Sequence, residues 1–339
     1  MEIIKSNNGF PYAWKAGRVE QLIRQILETK IKQQLTVDRA MIINPTWLHE
    51  DDLSAQIVSA DPGFVICHNF VDPAVPKIFE AVEQCGRPNV IIGNADQFRL
   101  DFWAIVCDLY FRDYPDYELA PLPDARKFIC LNRKPHQHRV ALVERLLAVK
   151  DQGYISLGLP GDRALTIDTD FDPDQGINDE FGNMGTDEGT VSRKIKNDIF
   201  SLGDLANWNR SLLCIVTETE FANTNPENFF ISEKTWKPVL GLRPFFVYGQ
   251  PRLRDYLKAQ GFDIFEDIFD YSIVNERAGD REQQQQYATV ALNGIAKINN
   301  PHQDYQKYFY RCVLNRIRFH AYVYEQWDKL NNLDLTQYV

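Results

Sequence analysis

Three short apolar runs, at residues 40–43, 64–67 and 89–92, each stop abruptly at a small or polar cluster: Asn44-Pro45-Thr46, His68-Asn69 and Gly93-Asn94-Ala95-Asp96. Three or four apolar residues in a row are too few for a helix and lack the alternation of a half-wetted strand. They fit strands buried on both faces, the hallmark of a parallel sheet. Residues 18–34 carry Val19, Leu22, Ile23 and Ile26 at helical spacing, and residues 74–84 read as a further helix. Strands and helices in alternation predict βαβ units.

A proline-marked segment, from Tyr114-Pro115 to Pro121-Leu122-Pro123, interrupts this pattern and reads as a domain boundary. The same logic then resumes. Strands are expected at 127–131, 154–157, 212–217 and 244–248, and helices at 140–149, 233–240 and 252–260, the last stopped by Gly261. Residues 164–167 make a poor strand. Residues 303–330 place many aromatics at helical spacing, and most of these should pack. The chain has 339 residues, enough for two domains of ordinary size. The expected architecture is α/β: two Rossmann-like, doubly wound domains, at 1–124 and 125–310. A terminal helix at 311–339 is expected to pack back on the first.

Charge narrows the partners. The formal net charge is −10, whereas a duplex-binding surface carries an excess of Lys and Arg. Nucleic acid is therefore not expected as the main partner, nor a polybasic membrane anchor. No run reaches the roughly 20 apolar residues of a membrane helix. The first residues lack the apolar core of a signal peptide. Cys67, Cys85, Cys107, Cys130, Cys214 and Cys312 form no C-x-x-C pair, so free thiols in a reducing cytoplasm are expected, not zinc ligands.

In such folds the ligand sits beyond the carboxyl ends of the strands. Two strand ends stand out. The first runs from Phe128-Ile129-Cys130-Leu131 into Asn132, Arg133, Lys134, Pro135, His136, Gln137, His138 and Arg139, and then into a helix. A basic loop at a helix N-terminus suits an anion, and Arg adds bidentate recognition of phosphate. A merely solvated loop is the alternative. His136 and His138 lack a nearby carboxylate in sequence, so a metal pair is not expected. The second follows 212–217: Glu218, then Phe230-Ile231-Ser232-Glu233-Lys234-Thr235-Trp236-Lys237-Pro238. Ser232 can cap a helix whose first turns hold two lysines, an arrangement opposed to the helix dipole unless an anion binds there. A capped helix with surface charges is the plain alternative.

The 230–249 segment resembles the signature of the α-1,3-fucosyltransferase-like family, in which an aromatic residue precedes an E-K pair, a helix, and a proline-led strand ending in Gly. The loop from Asn132 to Arg139 and the acidic strand end at Glu218 resemble further parts of that family. The resemblance covers mainly residues 127–270. It implies a GT-B fold and a sugar-nucleotide donor, with GDP-fucose the family's own. It also implies diphosphate contacts from Arg139 and Lys234, and a ribose contact from Glu233. Phe230 stands where the family has Tyr, and Asn does not follow Glu218. Donor-side residues are then Asn132, Arg133, His136, Arg139, Glu218, Phe230, Ser232, Glu233, Lys234 and Lys237.

The stretch Pro238-Val239-Leu240-Gly241-Leu242 lacks the later Glu of retaining GT-B enzymes, so inversion is expected. Inversion needs a general base, and the strand ends of the first half supply His68 and Asp96 as candidates. The run Asp168-Thr169-Asp170-Phe171-Asp172-Pro173-Asp174 has Pro where a calcium loop wants Gly, and it reads as a surface loop, with a bound calcium or magnesium ion as the alternative. No cofactor or metal is expected beyond the donor itself. The acceptor is open: a glycan, a lipid-linked sugar, a protein or a small molecule. Two other functions fit the same residues: a non-catalytic nucleotide-sugar or glycan binder, and a transferase acting on nucleic acid.

Overall fold

The computed structural model describes residues 1–5, 15–45, 50–69, 76–93, 98–112, 120–132, 136–159, 163–166, 208–219, 221 and 230–339. The protein is α/β, with two five-stranded sheets whose strand pairs are parallel apart from one antiparallel edge pair. Its described residues form two compact units. One holds Met1–Leu109, Phe230 and Tyr322–Val339; the other holds residues from Tyr110 to Phe221 and Ile231–Ala321.

The first unit carries β1 (Glu2–Lys5), β2 (Arg39–Ile43), β3 (Phe64–Asn69), β4 (Asn89–Gly93) and β5 (Phe98–Arg99), hydrogen-bonded in that order. Ala40 through Ile43, Phe64 through Cys67 and Val90 through Ile92 are all buried, which is why these strands read as unbroken apolar runs. Helices α1 (Lys15–Gln34), α2 (Glu50–Ala60), α3 (Pro76–Gln84) and α4 (Phe102–Arg112) connect and follow them. In α1 the buried stripe is Ala16, Val19, Ile23, Leu27 and Ile31, whereas Leu22 is exposed. The expected face was thus displaced by part of a turn. The sequence pattern does not anticipate β1, α2, β5 or α4.

The second unit carries β6 (Arg126–Cys130), β7 (Gly153–Leu159), β8 (Arg163–Thr166), β9 (Ser211–Thr217) and β10 (Phe245–Tyr248), in the order β10-β9-β6-β7-β8. The stretch that reads as a poor strand, 164–167, largely falls in the short edge strand β8, antiparallel to β7. Helices here are α5 (Gln137–Leu146), α6 (Glu233–Leu240), α7 (Pro251–Ala259) and α8 (Asp280–Lys297). The long α9 (Pro301–Asn331) belongs to this unit up to Ala321 and to the first unit from Tyr322.

Three buried polar devices fix these cores. In the first unit, Tyr322 Oη donates to Asp101 Oδ2 at 3.1 Å and Gln326 Oε1 accepts from Asp101 N at 3.1 Å, so the final turns of α9 dock on the start of α4. Lys30 Nζ donates to the carbonyls of Asn331 and Leu333 and closes the end of α9. In the second unit, Arg243 is buried and donates to the carbonyls of Trp208, Ser211, Gly241 and Leu242, with its guanidinium over the Trp208 and Tyr305 rings. Trp236 of α6 is fully buried between Phe262 and Phe319. All six cysteines are free thiols. No described helix is long and apolar enough to cross a membrane.

Candidate functional site

Among the described strands, the order runs 1-2-3-4-5 without reversal in the first sheet and reverses in the second. From β6 the chain builds outward through β7 and β8, then returns to lay β9 on the other side of β6. A crevice opens beyond the carboxyl ends of strands at such a reversal, and it is the usual ligand position in open α/β sheets. Here the reversal falls at the ends of β6 and β9, Cys130 and Thr217. The two ends are tied together there by Thr217 Oγ1, which donates to Asn132 Oδ1 at 2.5 Å.

Two helix starts meet at this reversal. Helix α5 begins after His136, with His138 and Arg139 in its first turn, both buried. Arg139 Nη2 and His138 Nε2 each lie 3.0 Å from the carbonyl oxygen of Glu218. A carbonyl can only accept, so His138 carries its proton on Nε2. Burial, reinforced by Arg139 and His136, lowers the His138 pKa to about 4 against the opposing pull of that carbonyl. The ring is neutral at physiological pH. It stacks on exposed His136 and on Tyr248.

Helix α6 starts at Glu233. Ser232 caps it, with its hydroxyl accepting from Lys234 N at 3.3 Å. Lys234 Nζ reaches Glu233 Oε1 at 2.8 Å and Ser232 Oγ at 3.2 Å. Burial opposes ionisation of Glu233, but Lys234 and Lys237 outweigh it and hold the carboxyl below its ordinary range. Lys234 keeps about a third of its side chain exposed, at 32 %. Burial lowers the Arg139 pKa, and the negative charges of Glu218 and Glu233 partly restore it.

Glu218 closes the arrangement. It follows β9, is 1 % exposed, and its main-chain N–H donates to the Tyr248 carbonyl of β10. Its Oε2 accepts from Ser232 Oγ at 2.6 Å and Thr219 N at 3.2 Å. Its Oε1 accepts from Ser232 N at 3.3 Å and from the Thr235 hydroxyl. Gly249 leaves room for it, since a Cβ there would stand 2.9 Å from Glu218 Cβ.

The structure therefore brings Asn132, His136, Arg139, Glu218, Ser232, Glu233, Lys234 and Lys237 into one neighbourhood of the second unit. Phe230 is buried and groups with the first unit. Arg133, Asp96 and the run 168–174 lie outside the described residues. His68, also in the first unit, is 0 % exposed. Its Nε2 accepts from Arg24 Nε at 3.1 Å, beside a buried Glu20 that takes Arg24 Nη2 and Asn44 Nδ2 at 2.9 Å each. Burial and Arg24 hold the His68 pKa well below its usual value. Such a ring is placed as an internal acceptor.

Sequence reasoning assigned no anchoring role to His138 or Thr235. Each sits next to an assigned residue, but its bond runs to Glu218 from 80 and 17 positions away, and no local pattern signals that. Among the described residues no three His, Cys, Asp or Glu side chains gather as metal ligands. Chemically, the cluster offers two helix N-termini, a guanidinium and two ammonium groups around two buried carboxylates, a setting for an anion with more than one charged group. No protein-family model matches the chain, and no curated protein matches it by sequence.

Proposed function

We propose that this chain is a glycosyltransferase of the GT-B type that uses a nucleoside-diphosphate sugar, with inversion and without a required metal. The observation that supports this most is the convergence at the β6–β9 reversal of two basic helix starts, Arg139 on α5 and Lys234 on α6. In this reading the diphosphate takes the α6 N-terminus and Lys234, drawing Lys234 from Glu233, while Arg139 supplies positive potential from beneath. Glu233, released, accepts from ribose hydroxyls. As the glycosidic bond breaks, charge grows on the departing diphosphate, and preorganised cations lower that barrier. GDP-fucose is the first donor to test, on the resemblance of residues 230–249 to fucosyltransferases.

The test is a thermal-shift screen with GDP, UDP and ADP, because a ligand at about 100 times its dissociation constant stabilises by about 2.7 kcal/mol. Donor hydrolysis with and without EDTA follows. No stabilisation by any nucleoside diphosphate would remove the proposal. Loss of turnover in EDTA, restored by magnesium or manganese, would remove its metal-free part.

The burial of His68 favours a second reading, a nucleotide-sugar binder that does not transfer, because a base must reach its acceptor. Stabilisation by a nucleoside diphosphate, with no release of it from any donor, would select the binder.

A further inference from the structure

We infer that Glu218 is a positioning residue that fixes the two cationic helix starts relative to each other, and does not itself contact the donor. An ionised carboxylate offers about four lone-pair sites. Four donors reach those of Glu218: Ser232 N and the Thr235 hydroxyl at Oε1, Ser232 Oγ and Thr219 N at Oε2. At 1 % exposure it has neither a free acceptor nor a route for a ribose hydroxyl.

The side chain and the main chain of Glu218 face different elements. The carboxylate grips the first turn of α6, through the cap residue and Thr235. The carbonyl grips the first turn of α5, through Arg139 Nη2 and His138 Nε2. The N–H is held by Tyr248 of β10, and Gly249 admits the side chain at close range. One residue at the end of β9 thus sets the distance between Arg139 and the start of the helix that carries Lys234. A carboxylate suits the task because it accepts from hydroxyl and N–H donors alike, and charge-assisted bonds are the stronger kind.

Part of this inference rests on the nucleotide reading, but the coupling of α5 and α6 does not, and the experiment separates them. Thr235→Val removes one donor to Glu218 with little change of shape, and Thr235→Ser restores it. Hydrogen exchange of the unliganded protein is followed at the α6 start (Lys234, Thr235) and at the α5 start (Arg139, Val140). Thr235→Val should speed exchange at both by about tenfold, the loss expected for one bond to a charged group. Strand β3 should be unchanged, and Thr235→Ser should return both starts to wild type. Faster exchange at α6 alone, with α5 unmoved, overturns the coupling. In calorimetry with GDP, Thr235→Val should weaken binding about tenfold while Thr235→Ser does not; wild-type affinity in the Val variant also overturns it. If wild type binds no nucleoside diphosphate, the nucleotide reading falls, and the exchange data still decide the coupling.

Discussion

Arg139 donates through Nη2 to the main-chain carbonyl of Glu218 at 3.0 Å, while the carboxylate of the same Glu218 is turned to Ser232 and Thr235. The cation of one helix start is thereby anchored to the residue that anchors the other. Consequences follow for binding, acid stability and packing.

Arg139→Ala and Lys234→Ala should each cost about 10²–10³-fold in donor hydrolysis, the usual loss for one preorganised group at developing charge. Glu233→Ala should chiefly raise the donor KM, because ribose contacts are made equally in ground and transition states. Steady-state kinetics on the three variants, with calorimetry against GDP, check this. Wild-type affinity in all three folded variants would sink the site assignment.

Acid should weaken the fold through its buried histidines. Burial lowers the His138 pKa to about 4, and the His68 pKa lies well below its ordinary 6.5. The unfolded chain therefore binds more protons than the folded one once the pH drops below about 6.5. This contribution is complete above that value and drains as the pH falls toward the folded pKa. Thermal midpoints should fall over that range, and His138→Gln and His68→Asn should each flatten the slope. Identical slopes in wild type and both variants would contradict the assignment of neutral rings.

Glu233 acts at lower pH and in the same sense. Its folded pKa is depressed by Lys234 and Lys237 against the opposing cost of burial. The stability it supplies is present above its ordinary carboxylate pKa and is lost as the pH drops through the folded value. Lys234→Ala and Lys237→Ala should raise the Glu233 pKa, which carbon-detected titration of the labelled carboxyl reads directly.

Gly249→Ala should perturb the site without altering any charge. The added methyl would lie 2.9 Å from Glu218 Cβ, closer than real contacts allow, so Glu218 must shift. The expected cost is about 1–3 kcal/mol of stability, typical of overpacking, with weakened GDP binding. Chemical denaturation alongside calorimetry checks both.

Arg243→Ala should be more damaging than any of these. Four carbonyls, of Trp208, Ser211, Gly241 and Leu242, would each lose a donor inside the second unit, leaving Gly241 O with Trp208 Nε1 and Trp208 O with Ser211 Oγ. The expected loss is about 3 kcal/mol or more. Arg243→Lys should recover little, because an ammonium cannot span the fork. A variant as stable as wild type in denaturant would disprove this account.

The sequence by itself determined where most strands and several helices lie. Buried parallel strands must be apolar on both faces, so β2, β3, β4, β6 and β9 are visible as unbroken runs. The cap at Ser232 and the stop at Gly261 are likewise local, because each satisfies its helix within a few residues. The edge strands β1 and β5 and the α2 segment 50–60 left no comparable trace, since they bury too little to impose a period. What only the tertiary structure decided is the strand order, and hence that β6 and β9 are neighbours across the reversal. It also decided the bonds from Glu218 to Arg139, His138, Ser232 and Thr235, and the sealing of His68 beneath Arg24. These join residues 14 to 80 positions apart. Such pairings depend on how whole elements pack, and hydrophobic periodicity along the chain carries no record of which polar groups will meet.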